Sequence, residues 1–279
     1  MRRRQRLPFA FPGSLAAIPL LLIGVTVASG ALAAPAAAAR AAAPCDAPYA
    51  ATINPADFKD RDGDPIEIDN PYFPLEPGTT FVYRGESDGE AERVVTQVSR
   101  RTKTILGVRT VVIRDRAFVN GELVELALDW YAQDKRGNVW YFGEDVSNYE
   151  DGKLKDKAGS WEAGKNNARA GIIMPARPKV GNSYRQEYAP KVAEDAATVL
   201  SLNKRISVPF GTFDSVLQTR DFSCFEPVDE HKYYARGVGL IRAVGLRNGV
   251  ERPDLDRLEL VSVKGGDDRD EDDEDSDDN

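Results

Sequence analysis

Four dipeptides, Asp88-Gly89, Asn120-Gly121, Asp151-Gly152 and Asn248-Gly249, each stand between two strand-like runs. An Asx-Gly pair favours a two-residue turn whose central residues both take positive φ, and the twist of such a turn matches that of the strands it joins. Four of them in one chain make a meandering antiparallel sheet the leading expectation. The runs rich in β-branched and aromatic residues cover 79–84, 91–100, 103–118, 122–132, 138–142, 183–188, 198–208, 212–222, 231–234, 238–246 and 255–263. Helical periodicity is weak throughout; the best helical candidate, 192–199, is short and could equally extend the strand that follows. No heptads or internal repeats occur, which disfavours a solenoid or a propeller. The expected fold is mainly all-β, an antiparallel meander forming a curved half-barrel or open barrel with few short helices.

One hairpin is unusually aromatic. Val124, Leu126, Leu128 and Trp130 alternate with Glu125, Ala127, Asp129 and Tyr131, the period of two of a half-buried strand. Beyond Gly137, Val139, Trp140, Tyr141 and Phe142 are apolar on both faces, as where a sheet is covered on each side. Upstream, the segment 70–78 carries Pro71, Pro74 and Pro77, which remove ladder donors, so it is read as a plug that lays Tyr72, Phe73 and Leu75 across an edge or open end, with a lid over a ligand cavity as the functional alternative. The segment 160–181, with Trp161 and Ile172, Ile173 and Met174, shows little regular pattern and is read as an irregular stretch that could form an apolar flap over a pocket.

The first residues set the compartment. Arg2, Arg3, Arg4 and Arg6 precede a short apolar stretch and then small residues around Ala31, Ala33 and Ala34, the order of a secretory signal peptide. The apolar stretch is broken by Pro19 and Gly24, whereas a membrane-spanning helix needs about 20 apolar residues in a row. The expected organisation is a signal peptide over 1–34, an Ala/Pro-rich linker and N-terminal extension over 35–69, a single β domain over 70–264 and an acidic tail over 265–279. The tail is a like-charge block that cannot bury apolar surface and is expected to be disordered. The chain should therefore be exported, to the cell envelope, the periplasm or the medium, and soluble once the signal is removed. Cys45 and Cys224 are the only thiols and in an oxidising compartment form a candidate disulfide.

The formal net charge is −8, much of it in the tail, and no basic cluster survives signal removal, so nucleic acid is not an expected partner. His231 is the single histidine and the obvious general base, with Glu187, Tyr188 or Glu230 as helpers. Its more ordinary reading is a structural strand residue. Zinc sites built on several histidines are excluded, and no G-x-S-x-G or phosphate-cradling glycine loop is present, so no cofactor is expected. Glu144-Asp145 and Glu194-Asp195 could supply acid and base groups, but neighbours on a strand point to opposite faces, so a working pair would have to form across strands. Asp60, Asp62 and Asp64 surround Gly63 at alternate positions and are a weak metal candidate; the glycine is too early for an EF-hand and no glutamate closes the loop.

The segments Asn70-Pro-Tyr-Phe-Pro-Leu, Pro-Gly-Thr-Thr-Phe-Val-Tyr83, Asp129-Trp-Tyr-Ala-Gln-Asp134, Gly-Asn-Val-Trp-Tyr-Phe-Gly-Glu144, Tyr184-Arg-Gln-Glu-Tyr188 and Glu230-His-Lys-Tyr-Tyr-Ala with Gly-Val-Gly-Leu240 resemble a group of secreted prokaryotic proteins of unassigned function. That resemblance spans about 70–263 and implies a common fold without naming catalytic residues. The stretch from Tyr234 to Leu240 is also similar to the closing strands of periplasmic lipoprotein carriers, whose half-barrel holds acyl chains. The leading functional expectation is an exported binding module for an apolar or glycan-like ligand, a lipid or a sugar, on a concave sheet lined by Trp130, Trp140, Trp161, Tyr184 and Tyr188. The alternatives are a secreted hydrolase or lyase centred on His231, and a structural module of the cell envelope. Oligomeric state is not legible in the sequence.

Overall fold

The structure is a computed structural model that describes Cys45, residues 48–225 and residues 228–265. The expected signal peptide over 1–34 and the acidic tail beyond Gly265 lie outside the described residues. A 3-10 helix, Pro55–Phe58, precedes sixteen strands. The first eight are β1 Thr80–Ser87, β2 Glu90–Ile105, β3 Val108–Val119, β4 Glu122–Gln133, β5 Val139–Glu150, β6 Lys153–Asp156, β7 Trp161–Glu162 and β8 Arg169–Met174. Then come β9 Ser183–Arg185, β10 Glu187–Tyr188, β11 Asp195–Val208, β12 Gly211–Ser223, β13 Asp229–Ala235, β14 Gly239–Arg247, β15 Val250–Glu251 and β16 Arg257–Lys264.

The fold is nearly all-β: one antiparallel sheet in the order β10-β8-β5-β4-β3-β2-β1-β16-β14-β13-β12-β11-β9, with β6 and β7 added to β5 and β15 to β14. All four Asx-Gly pairs make the turns expected of them, with φ of 50°, 51°, 52° and 56° at Asp88, Asn120, Asp151 and Asn248. The two ends of the sheet, β9 and β10, are consecutive in the chain. Ser183, Tyr184 and Arg185 pair with β11, whereas Glu187 and Tyr188 pair with Ala170 and Arg169 of β8. One stretch of chain therefore carries the sheet from one end to the other, changing partner at Gln186, and the sheet becomes a nearly closed barrel with a seam at that strand.

Two expectations need correction, and an open alternative is decided. The run 103–118 is two strands, because Leu106 and Gly107 both take positive φ, 49° and 77°, and turn β2 into β3. The stretch 160–181 is no irregular flap: it contributes β7 and β8, and β8 is a wall strand between β5 and β10. Its apolar residues do not alternate because both of its faces are covered, with Ile173 and Met174 both in the core. In the stretch 192–199 the strand alternative holds: from Asp195 onward it is the start of β11.

The plug behaves as its prolines suggest. Tyr72, Phe73 and Leu75 are buried, and Asn70 anchors the segment: its backbone N–H donates to Gln133 Oε1 at 2.9 Å and its side-chain Nδ2 to the Gly137 carbonyl at 2.8 Å. Phe58 of the 3-10 helix packs edge-on against Trp140 and Phe142, with ring centroids 6.2 and 5.6 Å away.

Gly85 marks where the barrel wall is tightest. It pairs with Leu258, and a Cβ placed on it would lie 1.6 Å from the carbonyl oxygen of Arg257. Such contact forces β1 and β16 apart, and overpacking of this kind costs about 1–3 kcal/mol or more. Gly85→Ala is therefore expected to lower Tm by roughly 5 °C or more without changing strand content. An unchanged Tm in calorimetry would show that the wall is not held by this approach.

Candidate functional site

The barrel interior is unusually rich in carboxyls. Register places Asp115 opposite Ala127, Asp129 opposite Glu144, and Asp221 opposite Glu230, so these side chains share the inward face. Asp115, Asp129, Glu144, Glu187 and Asp221 are buried, while Asp195 and Glu230 are half-buried. Lys232 stands among them, its Nζ 2.9 Å from Glu230 and 3.5 Å from Asp221. Burial opposes the charge on Lys232, but Glu230 and Asp221 outweigh it and hold its pKa above the ordinary lysine value.

For the acids, loss of water dominates. Burial pushes Asp115 up to about 7, with Thr96 as a hydrogen-bonding counterweight and Glu125 adding to the rise. Asp195 is likewise raised by burial to about 7, against the pull of Lys232. Asp129 goes well above the carboxylate range through burial and the nearby Asp115, although Tyr141 donates its hydroxyl to Oδ1 at 2.6 Å. Glu187 is raised by burial and then by Asp195 beside it, with Trp161 on its other side.

At the plugged end lies a cavity of about 40 Å³ lined by Phe73, Leu75, Phe81, Tyr83, Asp115 and Tyr131 among others. That is room for about one water. The plug fills the mouth of the barrel, and a bound chain would have to displace it.

His231 is on the outer face, not in this interior. Its Nδ1 is 2.7 Å from Glu251 Oε1, the oxygen that also accepts the Tyr233 hydroxyl, and Gln218 donates to the Tyr233 oxygen at 3.1 Å. The structure does not bring His231 together with Glu187 or Tyr188. Glu187 faces Asp195 and Trp161 inside, and Tyr188 packs against Tyr49 and under Arg185. Glu230, next to His231 on the strand, points inward to Lys232. Glu251 was not legible as the partner of His231; the signal was the Asn248-Gly249 turn, which folds Val250 and Glu251 back along β14.

The five candidate aromatics do not share a concave face. Trp161 meets the inward-facing Tyr141 edge-on at 5.3 Å, and Tyr184, opposite Ala197, is held among Asp221 and Tyr234. Trp130 is 5% exposed and covered by Lys103, whose Nζ is 3.3 Å from the ring centroid. Trp140 lies under Phe58, and Tyr188 under Tyr49. These rings fill and cover the wall. Glu144 is buried while Asp145 pairs with Lys157 at 2.8 Å, and Glu194 sits 3.6 Å from Arg185, so neither adjacent acid pair acts on one side.

A sizeable concavity lies at the turn of the aromatic hairpin. There a cleft of about 620 Å³, open to solvent, runs between residues 59–69 and the β4–β5 turn. Its carboxylates are held by neutral donors. Asp134 accepts from the backbone of Arg136 at 2.9 Å and of Asn138 at 3.0 Å, and from the side chains of Asn138 at 2.8 Å and Trp140 at 2.9 Å. Asp69 accepts from Gln133 Nε2 at 2.6 Å. Asp60 accepts from the N–H groups of Asp62 and Asp64, both at 2.9 Å, which turns the weak metal candidate into a closed turn. Among the described residues no three His, Cys, Asp or Glu side chains converge as a metal site would require. Lys59, Arg61, Lys135 and Arg136 also line the cleft, and none of them has a carboxylate within 4.0 Å among the described residues.

No family model matches the chain, and no curated protein matches it. A solved structure of a Parabacteroides distasonis protein, described provisionally as a lipoprotein, aligns at 17% identity over 69% of this chain and 98% of that one, with a TM-score of 0.34. Among the described residues no helix is long and apolar enough to cross a membrane.

The interior carboxyls have a thermodynamic consequence. A carboxyl whose pKa is higher in the fold than in the unfolded chain stabilises the fold fully below its unfolded pKa, about 4, and that contribution is lost as pH rises through the folded value. For Asp115 and Asp195 the loss runs from about pH 4 to about 7, the value to which burial raises both, and is complete above it. Tm should therefore fall as pH is raised from about 5 to about 8.5, and Asp115→Asn or Asp195→Asn should each flatten part of that slope. A wild-type Tm that is level or rising across the window would refute the assignment.

Proposed function

We propose that the protein is an exported binding protein whose ligand, an acidic oligosaccharide, docks in the cleft at the β4–β5 turn. The observation that carries this reading is the separation of charge at the cleft: Asp60, Asp69 and Asp134 accept from neutral N–H groups, while Lys59, Arg61, Lys135 and Arg136 have no ion-pair partner among the described residues. Carboxylates satisfied by neutral donors do not compete for the cations, which remain available to a ligand's acidic group. The open trough is lined largely by the apolar stems of Lys and Arg side chains that carry their charges at its rim, which suits the ring faces and acidic groups of a sugar chain better than an uncharged acyl chain. Asp57, Asp62, Asp64 and Glu67 are exposed on the same segment, which favours a short chain with one carboxylate per sugar over a multiply sulfated polyanion. The resemblance of its segments to secreted proteins of unassigned function, and the order of its first residues, support export.

The test is calorimetric titration with oligogalacturonate and with uncharged dextran oligosaccharides of matched length. Oligogalacturonate should bind, dextran should bind far more weakly, and the Lys135→Gln, Arg136→Gln double variant should lose about tenfold or more in affinity, since a charge-assisted hydrogen bond contributes about 1.5–3 kcal/mol. Equal affinity of the double variant, or no binding of either glycan, rejects the cleft as the site.

A further inference from the structure

Four inward residues of β12 and β13 stand in a square. Register sets Thr219 opposite Lys232 and Asp221 opposite Glu230, and residues two apart on a strand share a face. The Lys232 Nζ is 2.9 Å from a Glu230 oxygen and 3.5 Å from Asp221 Oδ2. Two further donors converge on Asp221: the Thr219 hydroxyl donates to Oδ1, and Gln186 Nε2 donates to Oδ2 at 2.8 Å. The side chains of Lys232 and Asp221 are each 4% exposed, so the pair is largely cut off from water.

Together these residues have the parts of an amide-forming site. A lysine amine is a nucleophile toward a carboxyl carbon once it has lost its extra proton, and a productive arrangement holds reacting groups about 3–3.5 Å apart. The lysine is held as an ammonium by the acids around it, so the reaction has to begin with a proton transfer. Glu230 is within hydrogen-bond reach of the Nζ and can take that proton, since burial disfavours its own charge. Thr219 and Gln186 aim donors at the two oxygens of Asp221, where negative charge builds as the carbon is attacked. The surroundings also favour the product: an ammonium and a carboxylate taken out of water carry a desolvation penalty, and condensing them to a neutral amide removes both charges.

We propose that Lys232 and Asp221 join through their side chains in an intramolecular amide bond, a covalent rung between β12 and β13. The Lys232 ammonium passes one proton to Glu230, and its nitrogen attacks Cγ of Asp221 to form the C–N bond. Glu230 delivers that proton to Oδ2, takes a second one from the nitrogen and delivers it to the same oxygen. The Cγ–Oδ2 bond then breaks, and Oδ2 leaves as water with both protons and the bonding electron pair. Oδ1 stays as the amide carbonyl oxygen, still hydrogen-bonded by Thr219. Glu230 ends as it began, and nothing is oxidised or reduced. The bond is separate from the cleft and does not depend on its ligand.

Tryptic mapping of the purified protein by tandem mass spectrometry reads the bond directly. Cys224 is disulfide-bonded to Cys45, so the protein is unfolded, reduced and alkylated before digestion. An unlinked chain is cut after Arg220 and after Lys232 and releases residues 221–232. Trypsin does not cut at an amidated lysine, so the expected product is residues 221–236, lighter than its sequence by one water and giving no fragment ions from backbone breaks between Asp221 and Lys232. Glu230→Gln, which removes the proton carrier, should return the unlinked peptide 221–232 at full mass. Wild-type protein that yields 221–232 at full mass overturns the proposal whether or not the variant folds. So does a peptide that has lost water yet is still cut after Lys232, or a ring closed at Glu230 instead of Asp221.

Discussion

A sheet this long must either hide its edges or close, and here closure depends on a single residue step. Open edges present unpaired N–H and C=O groups, and a barrel removes them only if its first and last strands meet. At Gln186 the chain stops pairing with β11 and starts pairing with β8. Its N–H still donates to the Asp195 carbonyl at 2.8 Å, its side-chain amide holds Asp221 Oδ2 at 2.8 Å, and its carbonyl lies so near Gly171 that a Cβ there would be 2.2 Å away. The change of partner leaves Glu187 facing inward on the strand that closes the wall. Removing water from the interior is what raises the acids of that face, so the electrostatics of the core follow from this closure.

The protein keeps its acids in two different ways. Inside the barrel, burial favours the protonated form, at Glu230 too, although the Lys232 ammonium 2.9 Å away pulls the other way. At the cleft the acids accept hydrogen bonds from backbone and amide N–H groups, the pattern seen most fully at Asp134. The first arrangement ties stability to pH. The second leaves Lys135 and Arg136, on the turn of the aromatic hairpin, without a carboxylate partner among the described residues, so the turn rather than the tryptophans carries the binding reading.

Strand parity limited what could be read in advance. The pairing of β4 with β5 shifts by one residue between Asp129 and Tyr131, so Tyr141 and Glu144 both face inward although three positions separate them. Simple alternation would have put Trp140 and Glu144 on the same side. Instead Trp140 lies under Phe58 on the outside, and the concave aromatic surface expected from the sequence does not form. Leu106 escaped notice as a turn residue because a leucine at φ 49° is uncommon. The strand β8 escaped because Ala170, Gly171, Ile172, Ile173 and Met174 show no period of two when both faces are covered.

What the amino-acid sequence determined by itself is local: the four Asx-Gly turns, the antiparallel meander they imply, the proline-held plug and the inventory of two cysteines and one histidine. Each depends on the backbone preferences of a few adjacent residues. The tertiary structure alone decided which face each side chain takes, that the sheet closes on residues 183–188, that His231 meets Glu251 and that Cys45 reaches Cys224. Those outcomes rest on register between distant strands, and a single extra residue at a bulge reverses the face of everything beyond it.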